Sequence, residues 1–208
     1  MSNFNFRTDM ADERVDQYKQ VHNLSAIDGI KVTSENSNVS KTTIVEVLNE
    51  NGKNAVGKDV GKYITLEITD IEYLTDDQKQ QIISELAKQI DLLVGDNIDS
   101  IMIVGLGNVA VTPDALGPKV VSFVNVTRHM LKYAKDFVEP GTKEISAISP
   151  GVLGTTGIET EEIVESITKF VKPDVLIVID SLASMSISRV GKTIQLGNTG
   201  ITPRRRSW

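Results

Sequence analysis

The sequence predicts an α/β protein: a twisted, mainly parallel sheet flanked by helices, with an added β region toward its N-terminus. Two observations carry this. Strand-like and helix-like segments alternate from Ser100 to Asp180, and the strand-like ones are apolar throughout, as parallel strands covered on both faces are. Ahead of them lie two β-rich segments, residues 41–48 and 63–69, on either side of a turn cluster with an Asn51-Gly52 step. That is the pattern of an antiparallel excursion.

Taken in order, residues 1–41 are polar and broken by Asn, Ser and Asp, and Ser34-Glu35-Asn36-Ser37-Asn38 reads as a loop. After the two strands, Thr75 and Gln78 stand at capping-box spacing, and Ile82, Ile83, Leu86, Ile90 and Leu93 recur at helical spacing. Gly95-Asp96-Asn97 ends that helix. Ser100-Ile101-Met102-Ile103-Val104 is a short strand running into Gly105-Leu106-Gly107-Asn108. Thr112-Pro113-Asp114 supplies a cap, a proline at the first helical position and a first-turn acid, so a helix is expected from there to about Tyr133. Residues 143–148 are a strand, and Gly151, Gly154 and Gly157 punctuate a loop. Residues 160–171 are helical, with Ile163, Val164, Ile167 and Phe170 on one side and Lys172-Pro173 as the stop. Val175-Leu176-Ile177-Val178-Ile179 is an apolar strand ending in Asp180, and residues 193–196 offer one more.

Composition narrows the chemistry. The 208 residues hold 22 Lys and Arg against 28 Asp and Glu, a net charge of −6, which does not suit a general nucleic-acid binder. Cysteine is absent, which removes disulfides, thiol catalysis and thiolate metal sites. The two histidines, His22 and His129, are too few for a His-based zinc site. No apolar run is long enough to span a membrane, and no basic-then-apolar leader opens the chain. A cytoplasmic location fits these features.

Ligands of open α/β sheets bind at the carboxyl ends of the strands. Three segments arrive there: Gly105 to Asn108 with Asp114 beyond, Ser149-Pro150-Gly151, and Asp180-Ser181. Asp114 is favourable in a helix first turn for its own sake. Asp180, directly after five apolar residues, needs partners or a task to offset its burial. Two carboxylates at one cleft can divide into an acid and a base, or share a proton. A metal site is the competing use. Residues 105–110 also match G-x-G-x-x-A, but the following helix starts too late and no acid stands near position 125. On a continuous helix His129 lies roughly 22 Å from Asp114, which excludes a dyad between them. Gly151, Gly154 and Gly157 are turn glycines or bring backbone N–H groups to an oxyanion.

Several ordered motifs together resemble the germination protease family of spore-forming bacteria. They are Val104-Gly105-Leu106-Gly107-Asn108, Val111 through Val120 with its T-P-D-A-L-G-P run, Val126-Thr127-Arg128-His129, Ser146 through Gly154, Thr156 through Thr160, Ile179-Asp180-Ser181-Leu182-Ala183-Ser184, and Thr193 through Ile201. The resemblance covers residues 7–203. It implies a fold like that of the hydrogenase maturation proteases. It also implies an endopeptidase that degrades small acid-soluble spore proteins at germination and cleaves after Glu or Asp. Family members are zymogens and homotetramers of the forespore and spore core, with no cofactor, no membrane and no direct nucleic-acid partner. Two essential aspartates carry over onto Asp114 and Asp180, with Gly105, Gly107, Asn108 and Gly151 as supporting backbone. Arg7-Thr8-Asp9-Met10-Ala11 presents the family's cleavage pattern, so residues 1–9 are expected as a propeptide cut between Asp9 and Met10. Residues 10–203 then form one α/β protease domain. In the family the T-G-I-x-P motif runs on into a further part of the domain. Here Ile201-Thr202-Pro203 is followed by Arg204-Arg205-Arg206-Ser207-Trp208, so the domain is expected to be incomplete at its C-terminus, with residues 204–208 an atypical basic tail. Two alternatives stay open: a metal-dependent relative of the maturation proteases, and an inactive fragment that only binds.

Overall fold

The computed structural model describes residues 8–200. Most of the expected propeptide, Ile201-Thr202-Pro203 and the basic tail lie outside the described residues. The described chain forms two compact units, residues 8–94 with 182–200, and residues 95–181.

The first unit is built on a four-stranded antiparallel sheet in the order β1-β2-β3-β7. Its strands are β1 (Ile30–Asn36), β2 (Ser40–Val47), β3 (Gly61–Ile68) and β7 (Thr193–Gly197). β3 is central, and successive residues point to opposite faces. Val45, Val47 and Tyr63 meet Ala11 and Val15 of α1 (Ala11–His22) and Val56 of α2 (Glu50–Val56). Leu66 and Ile68 meet Val39 and Ile82, the latter on α3 (Asp76–Val94). The capping box at the start of α3 forms as expected: Thr75 N–H donates to Gln78 Oε1, and Gln78 N–H to Thr75 Oγ1.

Two polar segments expected as loop or turn are regular. Residues 34–36 belong to β1, an edge strand whose side chains are nearly all exposed, so they carry no apolar alternation. Residues 50–56 form α2, because Asn49 Oδ1 accepts the Gly52 N–H and caps it.

The second unit holds three parallel strands in the order β5-β4-β6: β4 (Ser100–Gly105), β5 (Glu144–Ile148) and β6 (Val175–Ile179). Met102, Val104 and Leu106 are its buried centre, covered by Val164, Ile167 and Val171 of α7 (Thr160–Val171), which follows a one-turn α6 (Leu153–Thr156) within the segment expected as a loop. Phe170, expected on that face, points to solvent, and Val171 takes its place. The expected parallel sheet is present with three strands, and so is the added N-terminal β region, an antiparallel sheet that β7, pairing with β3, makes the larger of the two.

The long helix expected over residues 112–133 is also corrected. Thr112–Asp114 is a single 3-10 turn, followed by α4 (Leu116–Ser122) and α5 (Arg128–Tyr133). Residues between the helices are drawn to the edge of β5: Thr127 N–H donates to Ile145 O, and Ile145 N–H to Thr127 Oγ1. The straight-axis argument separating Asp114 from His129 loses its basis with that break.

Candidate active site

The adjacent strands β4 and β6 end together. Gly105 is the register partner of Ile179, and one residue on, Leu106 N–H donates to Ile179 O at 2.8 Å. Asp180 follows directly. Its Oδ1 accepts the Ser181 N–H at 2.7 Å, which fixes the carboxylate against its own turn.

Asp114 reaches the same edge through glycine contacts. Gly107 has φ +113°, a backbone conformation that L side chains rarely adopt, and a Cβ there would lie 2.0 Å from Asp114 O. The Asn108 N–H that follows is shared between Asp114 O at 3.0 Å and Asp114 Oδ2 at 2.9 Å. Asn108 Oδ1 in turn accepts the Ala110 N–H, closing the loop on itself. Beyond Asp114, Gly117 in the first turn of α4 lies against the strand ends. A Cβ on it would sit 2.3 Å from Leu106 O and 2.7 Å from Ile179 O. Gly105 presses on the same point from below, its Cβ position 2.2 Å from Gly117 O. Main chain therefore packs on main chain. Asp114 is three residues before that contact on one segment, and Asp180 is one residue past it on the other.

Both carboxylates are half-buried. They stand where the paths out of neighbouring parallel strands diverge, the usual place for a ligand crevice in such sheets. Gly105, Gly107 and Asn108 belong to this edge. Gly151 follows β5, the parallel neighbour of β4 on its other side, and its carbonyl accepts Thr160 Oγ1 at the start of α7. Gly117 is a site residue that sequence reasoning passed over. A glycine inside a helical segment costs about 1 kcal/mol against alanine, and that cost was the available signal.

The expected processing point lies in the first unit and is tightly held. Asp9 N–H donates to Ala183 O at 2.8 Å, and Asp9 Oδ2 accepts the Ala183 N–H at 3.1 Å. Gln195 spans the next two residues, with Nε2 donating to Asp9 O and Oε1 accepting the Ala11 N–H. Met10 is 2% exposed and Ala11 0%.

Beside this segment lies a charge cluster that the sequence did not reveal. Arg189 contacts Asp12 at 2.7 Å and Glu13 at 3.1 Å, and its Nε approaches Glu67 at 3.2 Å without hydrogen-bond geometry. Burial pushes the Glu13 carboxyl up. Hydrogen bonds from Thr8, the Met185 N–H and Ser184, with the Arg189 charge, outweigh that and hold it below the ordinary carboxylate value. Among the described residues no group of three or more His, Asp or Glu side chains is placed to hold a metal ion, and no helix is long and apolar enough to cross a membrane.

The family model for germination proteases matches residues 7–206. The germination protease of Clostridium tetani is 44% identical over 198 residues, which are 95% of this chain and 61% of that protein. That of Clostridium perfringens strain SM101 is 41% identical over 205 residues, 96% of this chain and 62% of the relative. That of Priestia megaterium is 41% identical over 212 residues, 98% and 57%. The chain thus spans about three fifths of the length of the curated relatives it matches. By the extent of the model match and these identities, the chain belongs to the germination protease family.

Proposed function

We propose that this chain carries the peptidase site of a spore protease that degrades small acid-soluble spore proteins at germination, cutting after Glu or Asp. The reading rests on one observation above all: Asp114 and Asp180 stand at the carboxyl ends of two hydrogen-bonded parallel strands, on segments packed backbone to backbone. One carboxylate takes a proton from a water molecule as it attacks the scissile carbonyl carbon. The other orients the carbonyl or hands a proton to the departing nitrogen. The Asn108 and Ser181 N–H groups keep both carboxylates in fixed directions, which is the positioning such a step needs.

The same proposal includes self-cleavage between Asp9 and Met10, releasing residues 1–9 from a protease domain over 10–203 with its tail at 204–208. It further includes a homotetramer, action in the forespore and spore core, and a fold relationship to the hydrogenase maturation proteases.

The test is cleavage of a purified small acid-soluble spore protein, with Asp114→Asn and Asp180→Asn alongside and chelator in a parallel reaction. Cleavage after acidic residues, reduced at least about 10²-fold in each variant and indifferent to chelator, is the expected result. Wild-type rates in either folded variant would remove that aspartate from the mechanism. Loss on chelation would favour the metal-dependent alternative.

A further inference from the structure

Thr8, two residues before Met10, makes a bridge that the cut would remove. Thr8 Oγ1 accepts the Met10 N–H at 3.0 Å and donates to Glu13 Oε2. Met10 is the N-cap of α1 and Glu13 its third residue, the pair whose main-chain nitrogen and side chain meet in a capping box. Glu13 is buried. Its Oε1 takes Ser184 Oγ at 2.7 Å and Arg189 Nη1, while Oε2 takes the Met185 N–H at 2.7 Å besides Thr8.

Hydrolysis of the Asp9–Met10 bond adds water across it. The carbon–nitrogen bond breaks, oxygen stays on Asp9 as a new α-carboxylate, and the Met10 nitrogen leaves as a protonated amine. Thr8 departs with the acidic fragment. Glu13 Oε2 then loses one of its two donors, keeping only the Met185 N–H, and the Met10 nitrogen loses its acceptor; the two face each other across the vacated hydroxyl, at most two hydrogen-bond lengths apart.

We propose that the new Met10 ammonium replaces Thr8 Oγ1 on Glu13, forming a buried ion pair that locks α1 to residues 184–189 in the processed chain. This rests on the proposed processing after Asp9. The surrounding charge supports it. Three carboxylates, Asp12, Glu13 and Glu67, share one guanidinium, Arg189, so the cluster carries surplus negative charge that an ammonium reduces. Arg14 is the other cation nearby, and its Nε donates to the Thr8 carbonyl, which also leaves. The positive end of the α1 dipole opposes the ammonium, and Asp12 and Glu13 in the first turn counter it. The cut also removes both Asp9 bonds to Ala183, leaving α1 tied to the segment after Ala183 through Glu13, the Asp12–Arg189 pair and the Ala11–Gln195 bond.

The experiment exchanges residues 1–9 of the full chain for the recognition sequence of a site-specific protease that leaves Met10 first. The cut then does not depend on the chain's own activity. Acetylation of the Met10 amine is followed against pH by mass spectrometry, in the cut wild type and in cut Glu13→Gln. The amine should titrate at least one unit above the ordinary value of about 7.7–8.0 in the wild type, labelling at least about fourfold more slowly at pH 8 than in Glu13→Gln. An amine with the ordinary value and the same rate in both overturns the proposal.

If Glu13→Gln does not fold, cut and uncut wild type decide the matter. A group whose pKa is raised on folding loses its stabilisation as pH rises through the raised value. Only the cut form should therefore lose thermal midpoint between about pH 8 and 10, and parallel curves overturn the ion pair. An unaltered chain that never processes after Asp9, beside an engineered cut that raises the amine's pKa, would remove the processing step and leave the pairing supported.

Discussion

Gly117→Ala is the sharpest test of how Asp114 is held. The added Cβ would stand 2.3 Å from Leu106 O, 2.6 Å from Leu106 N and 2.7 Å from Ile179 O, all main-chain atoms that cannot rotate away. Ordinary contact begins at 3.4 Å, so α4 must lift by about 1 Å, or the ends of β4 and β6 must part. Overpacking of this kind costs about 3 kcal/mol, the upper end of the usual range. For a chain of this size that lowers the thermal midpoint by roughly 6–12 °C. The displaced segment begins three residues after Asp114, and a shift near 1 Å in a catalytic group costs about 10²-fold in rate. Circular dichroism melting and cleavage of a small acid-soluble spore protein read the two effects. Gly154→Ala is the control: nothing lies within 4 Å of its Cβ position, so stability should stay within about 0.5 kcal/mol. A Gly117→Ala protein that melts with the wild type would refute the backbone-on-backbone contact and the placement of Asp114 derived from it.

Three further outcomes follow from the first unit. Arg189→Met leaves Asp12 and Glu13, with side chains 15% and 7% exposed, without their shared cation, and should cost about 3 kcal/mol in urea unfolding; the more exposed Glu67 adds little. The Glu13 carboxyl is held below its ordinary value of 4.5, so its contribution is complete above that pH and is lost as pH falls through the folded-state value. The thermal midpoint of Glu13→Gln should therefore trail the wild type at pH 7 and converge with it in acid; a constant gap down to pH 3, well below about 4.3, would contradict this. Asn49→Ala removes the cap of α2 and should cost about 1 kcal/mol, measured by the urea midpoint.

Where an element buries a continuous or periodic apolar face, the sequence announced it. β4, β6 and α7 are of this kind, and so is α3 with its capping box. Of the elements that escaped detection, α1 among them, β1 and α2 are mostly polar and are fixed by partners outside their own segments. β1 exists because β2 pairs with it along its whole length, and α2 because one asparagine caps it. The long helix over 112–133 failed for the opposite reason. Local propensity favoured it, but the chain between α4 and α5 gains more by bonding to the edge of β5.

The candidate site divides along the same line. Asp180 was legible because an acid ending an apolar strand is costly without a purpose, and Asp114 because its turn opens with a threonine and a proline. What joins them was not, because Gly105, Gly107 and Gly117 act through the absence of a side chain at contacts that only the folded chain creates. Glu13 is the harder case. An acid in the first turn of a helix is favourable whatever else it does, so its position carries no alarm. Its meaning comes from Ser184, Met185 and Arg189, more than 170 positions away, and from a threonine five residues earlier. The local clue was the spacing from Met10 to Glu13, an N-cap and its third helical residue at the expected cut. A cut there turns an ordinary capping position into a charged chain end beside a buried carboxylate. Of the first-turn acids of α1, it is Glu13 rather than Asp12 whose replacement should alter the Met10 amine, because only Glu13 shares the Thr8 hydroxyl with it.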